Sequence, residues 1–220
     1  MQQANAKGKQ VIAFMHHGVN PNSLAQPQLF PEYLVDNWPS VGAQLNAAGL
    51  KVVFTGHYHS QDAAFPLDAN ANPVIGGLYD VETSSLAAYP SAFRIVTLQA
   101  DNSLKIESRR VTEIQADTGG LPFQDFAEAD LRLRLPAIAA YQLETDFGAT
   151  PQQAAYLAPF VVDALIAGYA GDEQPDAQTQ AVLNGFVGSA EPLHSLGQLL
   201  WALWIDLPPT DNNLVVPLVN

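Results

Sequence analysis

Residues 10–18 read Gln-Val-Ile-Ala-Phe-Met-His-His-Gly, and residues 51–59 read Lys-Val-Val-Phe-Thr-Gly-His-Tyr-His. Each begins as an apolar run of strand length and ends in histidine. Continuous apolar runs of this kind suit strands buried on both faces of a parallel sheet. Between them, residues 39–48 predict a helix. Pro39 and Ser40 stand at its start, Val41 and Leu45 lie four apart, and Gly49 follows its end. Strand, helix and strand at this spacing make a βαβ unit with parallel strands. The expected fold class is α/β.

Downstream the pattern changes. Residues 73–77, 78–83, 93–99 and 104–112 predict further strands, read as an antiparallel stretch. The turn Ala100-Asp-Asn-Ser103 makes a hairpin of the last two. From Phe123 the spacing of apolar residues predicts helices over 123–146, 151–170, 175–188 and 192–206. Thr150-Pro151 is a cap followed by a proline at the first helical position. Pro136 and Pro159 are expected to kink or split their helices. The apolar run Leu199–Trp204 reads as a core-facing helix.

The charge is uneven. The 220 residues carry a net charge of −13, of which residues 1–118 contribute −3 and residues 119–220 contribute −10. A composition break at Thr118-Gly119-Gly120 therefore divides a histidine-bearing domain, 1–118, from an acidic helical domain, 119–220. The negative charge argues against nucleic acid or an anionic membrane as the main partner. No run of 18 uncharged apolar residues occurs, so no membrane span is expected. Cysteine is absent, which removes disulfides and thiolate metal sites. Localisation is left open.

The chemistry concentrates at the ends of the first two strands. In a parallel sheet, the loops after 10–15 and 51–55 lie at the carboxyl ends of the strands, where open α/β sheets bind ligands. Neighbouring strands start their side chains about 5 Å apart. His57 and His59, two apart, would project to one side in an extended conformation, with Tyr58 pointing away. Imidazole is a common ligand of first-row divalent metals. His16, His57 and His59 are thus candidate metal ligands, with His17 beside them. His194 has no partner visible in the sequence and reads as structural or surface.

Val11–Gly18 followed by Val53-Phe-Thr-Gly-His-Tyr-His-Ser-Gln-Asp62 resembles the last two metal motifs of the calcineurin-like metallophosphoesterases. Glu82–Pro90 and Phe93–Leu98 are also similar to strands closing the second sheet of that family. The resemblance covers residues 8–115. It implies the C-terminal half of a β-sandwich followed here by the helical domain, and a metal-dependent hydrolase of phosphate esters. It implies two metal ions in the intact enzyme, zinc, iron or manganese. His16 and His57 would bind one metal and His59 the other. His17 is the alternative ligand, and Asp62 would orient a histidine or ligate in its place. The partner implied is a small phosphate ester.

The other motifs of that family, Asp-x-His, Gly-Asp-x-x-Asp and Gly-Asn-His-Asp/Glu, do not occur in this sequence. Two divalent cations close together need bridging and acidic ligands, so three imidazoles should hold one metal weakly at most. The expectation is that the chain is the C-terminal part of a longer enzyme, without a complete catalytic set, and that exposed sheet surface favours self-association. Two rivals stand beside it. One is a non-catalytic degenerate module that binds a protein partner. The other is a mononuclear hydrolase with Asp36, Asp62, Asp80 or Glu82 as a carboxylate ligand.

Overall fold

The computed structural model describes residues 2–171, 173–190 and 193–218. After a short N-terminal helix, α1 (Gln2–Asn5), the chain enters β1 (Ala13–Phe14). It then passes through α2 (Gln26–Leu29), a 3₁₀ turn (Pro31–Tyr33) and α3 (Trp38–Ala47) into β2 (Val52–Thr55). β1 and β2 are parallel, with Ala13 beside Val53 and Phe14 beside Phe54. The βαβ expectation is met, and the fold is mixed α/β.

Two more strands complete this first sheet, β3 (Ala63–Ala64) and β4 (Tyr79–Glu82), in the order β1-β2-β4-β3. β4 runs parallel to β2, from Val52 beside Tyr79 to Thr55 beside Glu82. This corrects the expected antiparallel reading of 78–83. Residues 73–77 form no strand: Pro73 makes one isolated bridge to Leu67, and the Gly77 amide turns back to the Val74 carbonyl. Pro73 has no amide to donate, and Gly76 takes a positive φ of 76°, which suits a turn rather than a ladder.

The second sheet joins β5 (Ala92–Leu98), β6 (Ser103–Arg110) and β7 (Asn213–Pro217), all antiparallel. The 100–103 hairpin is present. β7 was not foreseen; it brings the C-terminal stretch back beside β6 in the histidine-bearing part.

Burial explains the layering. Val52 and Phe54 of β2 pack with Leu104, Ile106, Leu214 and Val216 of the second sheet. Val53, on the other face of β2, packs with Val19, Leu50 and Leu78, backed by Val41 and Leu45 of α3. All four residues of β2 are buried, as a strand covered by a helix layer and a second sheet must be. β1 is an edge strand, paired only with β2 among the described residues, and Phe14 is 78% exposed.

The helices α4 (Phe123–Phe147), α5 (Pro151–Ala170), α6 (Ala177–Val187) and α7 (Leu193–Leu203) follow the predicted spans. The predicted first residue of the last helix, Pro192, lies outside the described residues. Neither Pro136 nor Pro159 splits its helix. Each proline removes one backbone hydrogen bond, and α4 and α5 are held by packing against each other over their length. α5 is long and apolar enough to cross a membrane. Here its apolar residues, Leu157, Val161, Val162 and Leu165 among them, form the bundle core with Leu200, Leu203 and Trp204. The Leu199–Trp204 run thus faces the core in part, as expected. The same core takes in Phe30 and Tyr58, so the bundle packs directly on the loop that carries His57 and His59.

Candidate functional site

The backbone places the histidines before any side chain does. The β1–β2 ladder continues past the strands: the Met15 amide donates to the Phe54 carbonyl, and the Gly56 amide to the His16 carbonyl, at 2.9 and 3.1 Å. His16 is therefore fixed beside the start of the Gly56–His59 loop. Beyond it Gly18 pairs with Leu34, its amide donating to Tyr33 and its carbonyl accepting from Val35. A Cβ at Gly18 would stand 3.3 Å from Leu34 Cδ2, so glycine lets these two segments close up.

This closure brings Tyr33 to the histidines. Ring centres lie 4.5 Å apart for His16 and His57, 4.4 Å for His17 and His57, and 5.3 Å for His16 and His17. Tyr33 covers His57 at 4.8 Å. His57 and His59 both take left-handed backbone angles, φ 78° and 68°, so the pair is not extended as the sequence reading supposed. His59 is exposed and meets Tyr169 edge-on at 6.4 Å. It is close enough to His16 and His57 to act on them electrostatically. Tyr58 points away into the core, as expected.

Burial, then the neighbouring imidazoles, hold His57 below the usual imidazole value. Burial and His16 do the same for His59. Both rings are thus neutral at pH 7, the state in which imidazole can ligate a metal. Glu32 is the acid that acts on His57 from outside the cluster.

The structure also shows what holds the loop. Glu82, 1% exposed, accepts from Asn22 Nδ2 at 2.8 Å and faces the backbone amides of Tyr58 and His59. Asp80, equally buried, accepts from the amides of Val19 and Asn20 at 2.6 and 2.9 Å and from the Thr55 hydroxyl. Both carboxylates, considered as metal ligands from sequence, brace the two histidine loops from below. Asp36 is exposed on the turn before α3. Asp62 is buried, with its carboxyl facing Asp211 and Glu173. No hydrogen bond joins it to an imidazole among the described residues. His194 bonds through Nδ1 to the Val187 carbonyl at 2.5 Å.

Sequence reading missed Glu32 and Tyr33, which reach His57 only through the Gly18–Leu34 pairing. It also missed Glu82 as a brace. The strand-end position of Glu82 in a parallel neighbour of β2 was the available signal.

Zn–N bonds of about 2.1 Å at tetrahedral angles put imidazole centres about 5 Å apart, and the spacing of His16, His17 and His57 matches this. The donor atoms are not yet turned to a common point: among the described residues no group of three or more His, Asp or Glu side chains is set to hold a metal ion. His16 is exposed and His17 half-buried. Three imidazoles supply no anion, so two cations here would lack a bridging ligand. No protein-family model matches this sequence, and no curated protein matches it.

Proposed function

We propose that the imidazole cluster at the rim of β1 and β2 is the metal-binding part of a phosphoesterase site, in a half-sandwich of calcineurin-like type. The observation that carries this reading is the convergence of His16, His17 and His57 within 4.4–5.3 Å at the carboxyl ends of adjacent parallel strands. The Gly-His-x-His sequence at 56–59 supports it.

A bound metal would lower the pKa of water and stabilise charge on a phosphoryl oxygen. The chain's own residues have separate duties. His57 stays neutral, braced on one side by Tyr33. His16 and His17 supply further nitrogens from the open side. Glu82 and Asp80 hold the two loops in register without entering the cluster. His59 stands at the edge, where as a neutral imidazole it can hold a second group near the ester.

A non-catalytic module is favoured by one observation: Asp80, an acid next to the cluster, is already committed to backbone and side-chain donors, and one oxygen of Glu82 to Asn22. Titration of the chelator-treated protein with zinc and manganese decides between them, paired with turnover of a chromogenic phosphodiester. One equivalent bound, at least ten-fold weaker in His57→Ala and in His16→Ala, is the expected result. Equal binding by wild type and a His16/His17/His57 triple alanine variant would overturn the metal site. Binding without turnover would favour the module.

A further inference from the structure

Behind the imidazole loop lies a second concentration of oxygen atoms. A pocket of about 20 Å³ sits between the 58–62 segment and the C-terminal half of α5, with Ser23, Ser60, Asp62 and Glu173 in its wall. It has room for one water-sized particle. Three of its side-chain oxygens, Asp62 Oδ1, Glu173 Oε2 and Ser23 Oγ, are buried with no hydrogen-bond partner. Asp62 is only 4% exposed and Ser23 only 8%. Buried acceptors and hydroxyls are normally satisfied, so an oxygen-lined pocket with three orphans points to something that fills it.

Charge says what kind of particle. The Asp211 carboxyl faces those of Asp62 and Glu173, and Asp206 and Glu82 add to the negative potential. Arg94 lies nearby, and Arg110 donates to the Ala170 carbonyl at the end of α5. The Arg94 guanidinium donates to the carbonyls of Asp62, Glu82 and Asp211 at 2.6–3.1 Å and to the Ser108 hydroxyl at 3.3 Å, and makes no hydrogen bond to a carboxylate among the described residues. A water molecule would satisfy the orphans and leave the acids protonated, as burial and their mutual repulsion make them when no cation is bound. A cation would satisfy the orphans and take the place of those protons. The donors are all oxygen, which selects a hard ion. Magnesium keeps several waters and needs more room than this pocket has, whereas calcium sheds them.

We propose that this pocket is a site for one dehydrated, calcium-type cation, held by Asp62 and Glu173 with the hydroxyls of Ser23 and Ser60. It ties the loop after His59 to α5. It is separate from the imidazole cluster and does not depend on the phosphoesterase reading.

The test is thermal unfolding and calorimetric titration of the full chain after chelation, with calcium, magnesium and zinc as probes. Calcium should bind at one equivalent and raise the unfolding midpoint. Magnesium should do so at least ten-fold more weakly. The calcium shift should vanish in Asp62→Asn and Glu173→Gln and persist in His57→Ala. Terbium provides a readout on wild type alone: its emission, sensitised by Tyr58 in the pocket wall, should be quenched by calcium. No calcium shift in wild type, or an undiminished shift in both carboxamide variants, would overturn the site. Calcium-insensitive terbium emission would overturn it as well. A calcium shift lost only in His57→Ala would assign the ion to the imidazoles instead.

Discussion

Asp80 shows how a single buried side chain can position a site without touching it. Its two oxygens satisfy the Val19 and Asn20 amides and the Thr55 hydroxyl, joining the segment after His17 to the strand before His57. Asp80→Ala would leave these donors buried and unpaired, at about 1–3 kcal/mol for each that stays dry. The expected outcome in urea unfolding is a stability loss of about 3 kcal/mol, with the imidazole cluster loosened as well. A loss under about 1 kcal/mol would mean that water replaces the carboxylate. The histidines could be read from sequence because a strand end is a place that local pattern defines. Asp80 could not: its partners are 25, 60 and 61 residues away, and nothing near it in the chain distinguishes it from a solvated acid. Tyr33 was hidden for the same reason, since it depends on one tight glycine at position 18.

Among the elements, α5 carries the strongest local signals and the most consequential end. Thr150 and Gln153 form a reciprocal capping box; Thr150→Ala should cost about 1 kcal/mol, read as a lowered urea midpoint. At the other end Gly171 caps the helix at φ 67°, and a Cβ there would lie 2.5 Å from the Gln61 carbonyl oxygen. The carbonyls of this last turn accept from the Gln61 amide, Arg110 and Asn212, so the helix end is docked on the sandwich. Gly171→Ala should therefore cost about 2 kcal/mol or more, through left-handed strain plus the clash. A neutral result would show that the helix is free to shift away. Caps and prolines made α5 legible to the residue. β7 was missed because Asn213–Pro217 is short and follows a proline-rich turn. Its inward Leu214 and Val216 alternate with outward residues, a weak signal until β6 is there to receive it.

For the molecule as a whole, the buried carboxyls set the response to pH. Burial raises Asp80 to about 6, Asp211 to about 7 and Glu173 to about 9, and it raises Asp62 and Glu82 well above the carboxylate range. Each binds its proton more tightly folded than unfolded. The stability this provides is complete below about pH 4, where the unfolded chain is also protonated, and is lost as pH rises through 6, 7 and 9. Arg94, held to about 10 chiefly by its own burial, stays charged across this window. Self-repulsion at a net charge of −13 acts in the same direction. His57 and His59 act oppositely: their lowered values give stability that is complete above about pH 6.5 and lost as pH falls below it. Five raised carboxyls outnumber two lowered imidazoles, so in chelator the thermal midpoint should be highest near pH 4–5 and fall steadily toward pH 9. Glu173→Gln should flatten the alkaline part of that fall and Asp80→Asn the part around pH 6, because each substitution removes one titrating proton while keeping the side chain's shape. A midpoint that stays level or rises between pH 6 and 9 in wild type would mean that these carboxyls are solvated or paired, and that the interior of this sandwich does not carry the excess negative charge its contacts indicate.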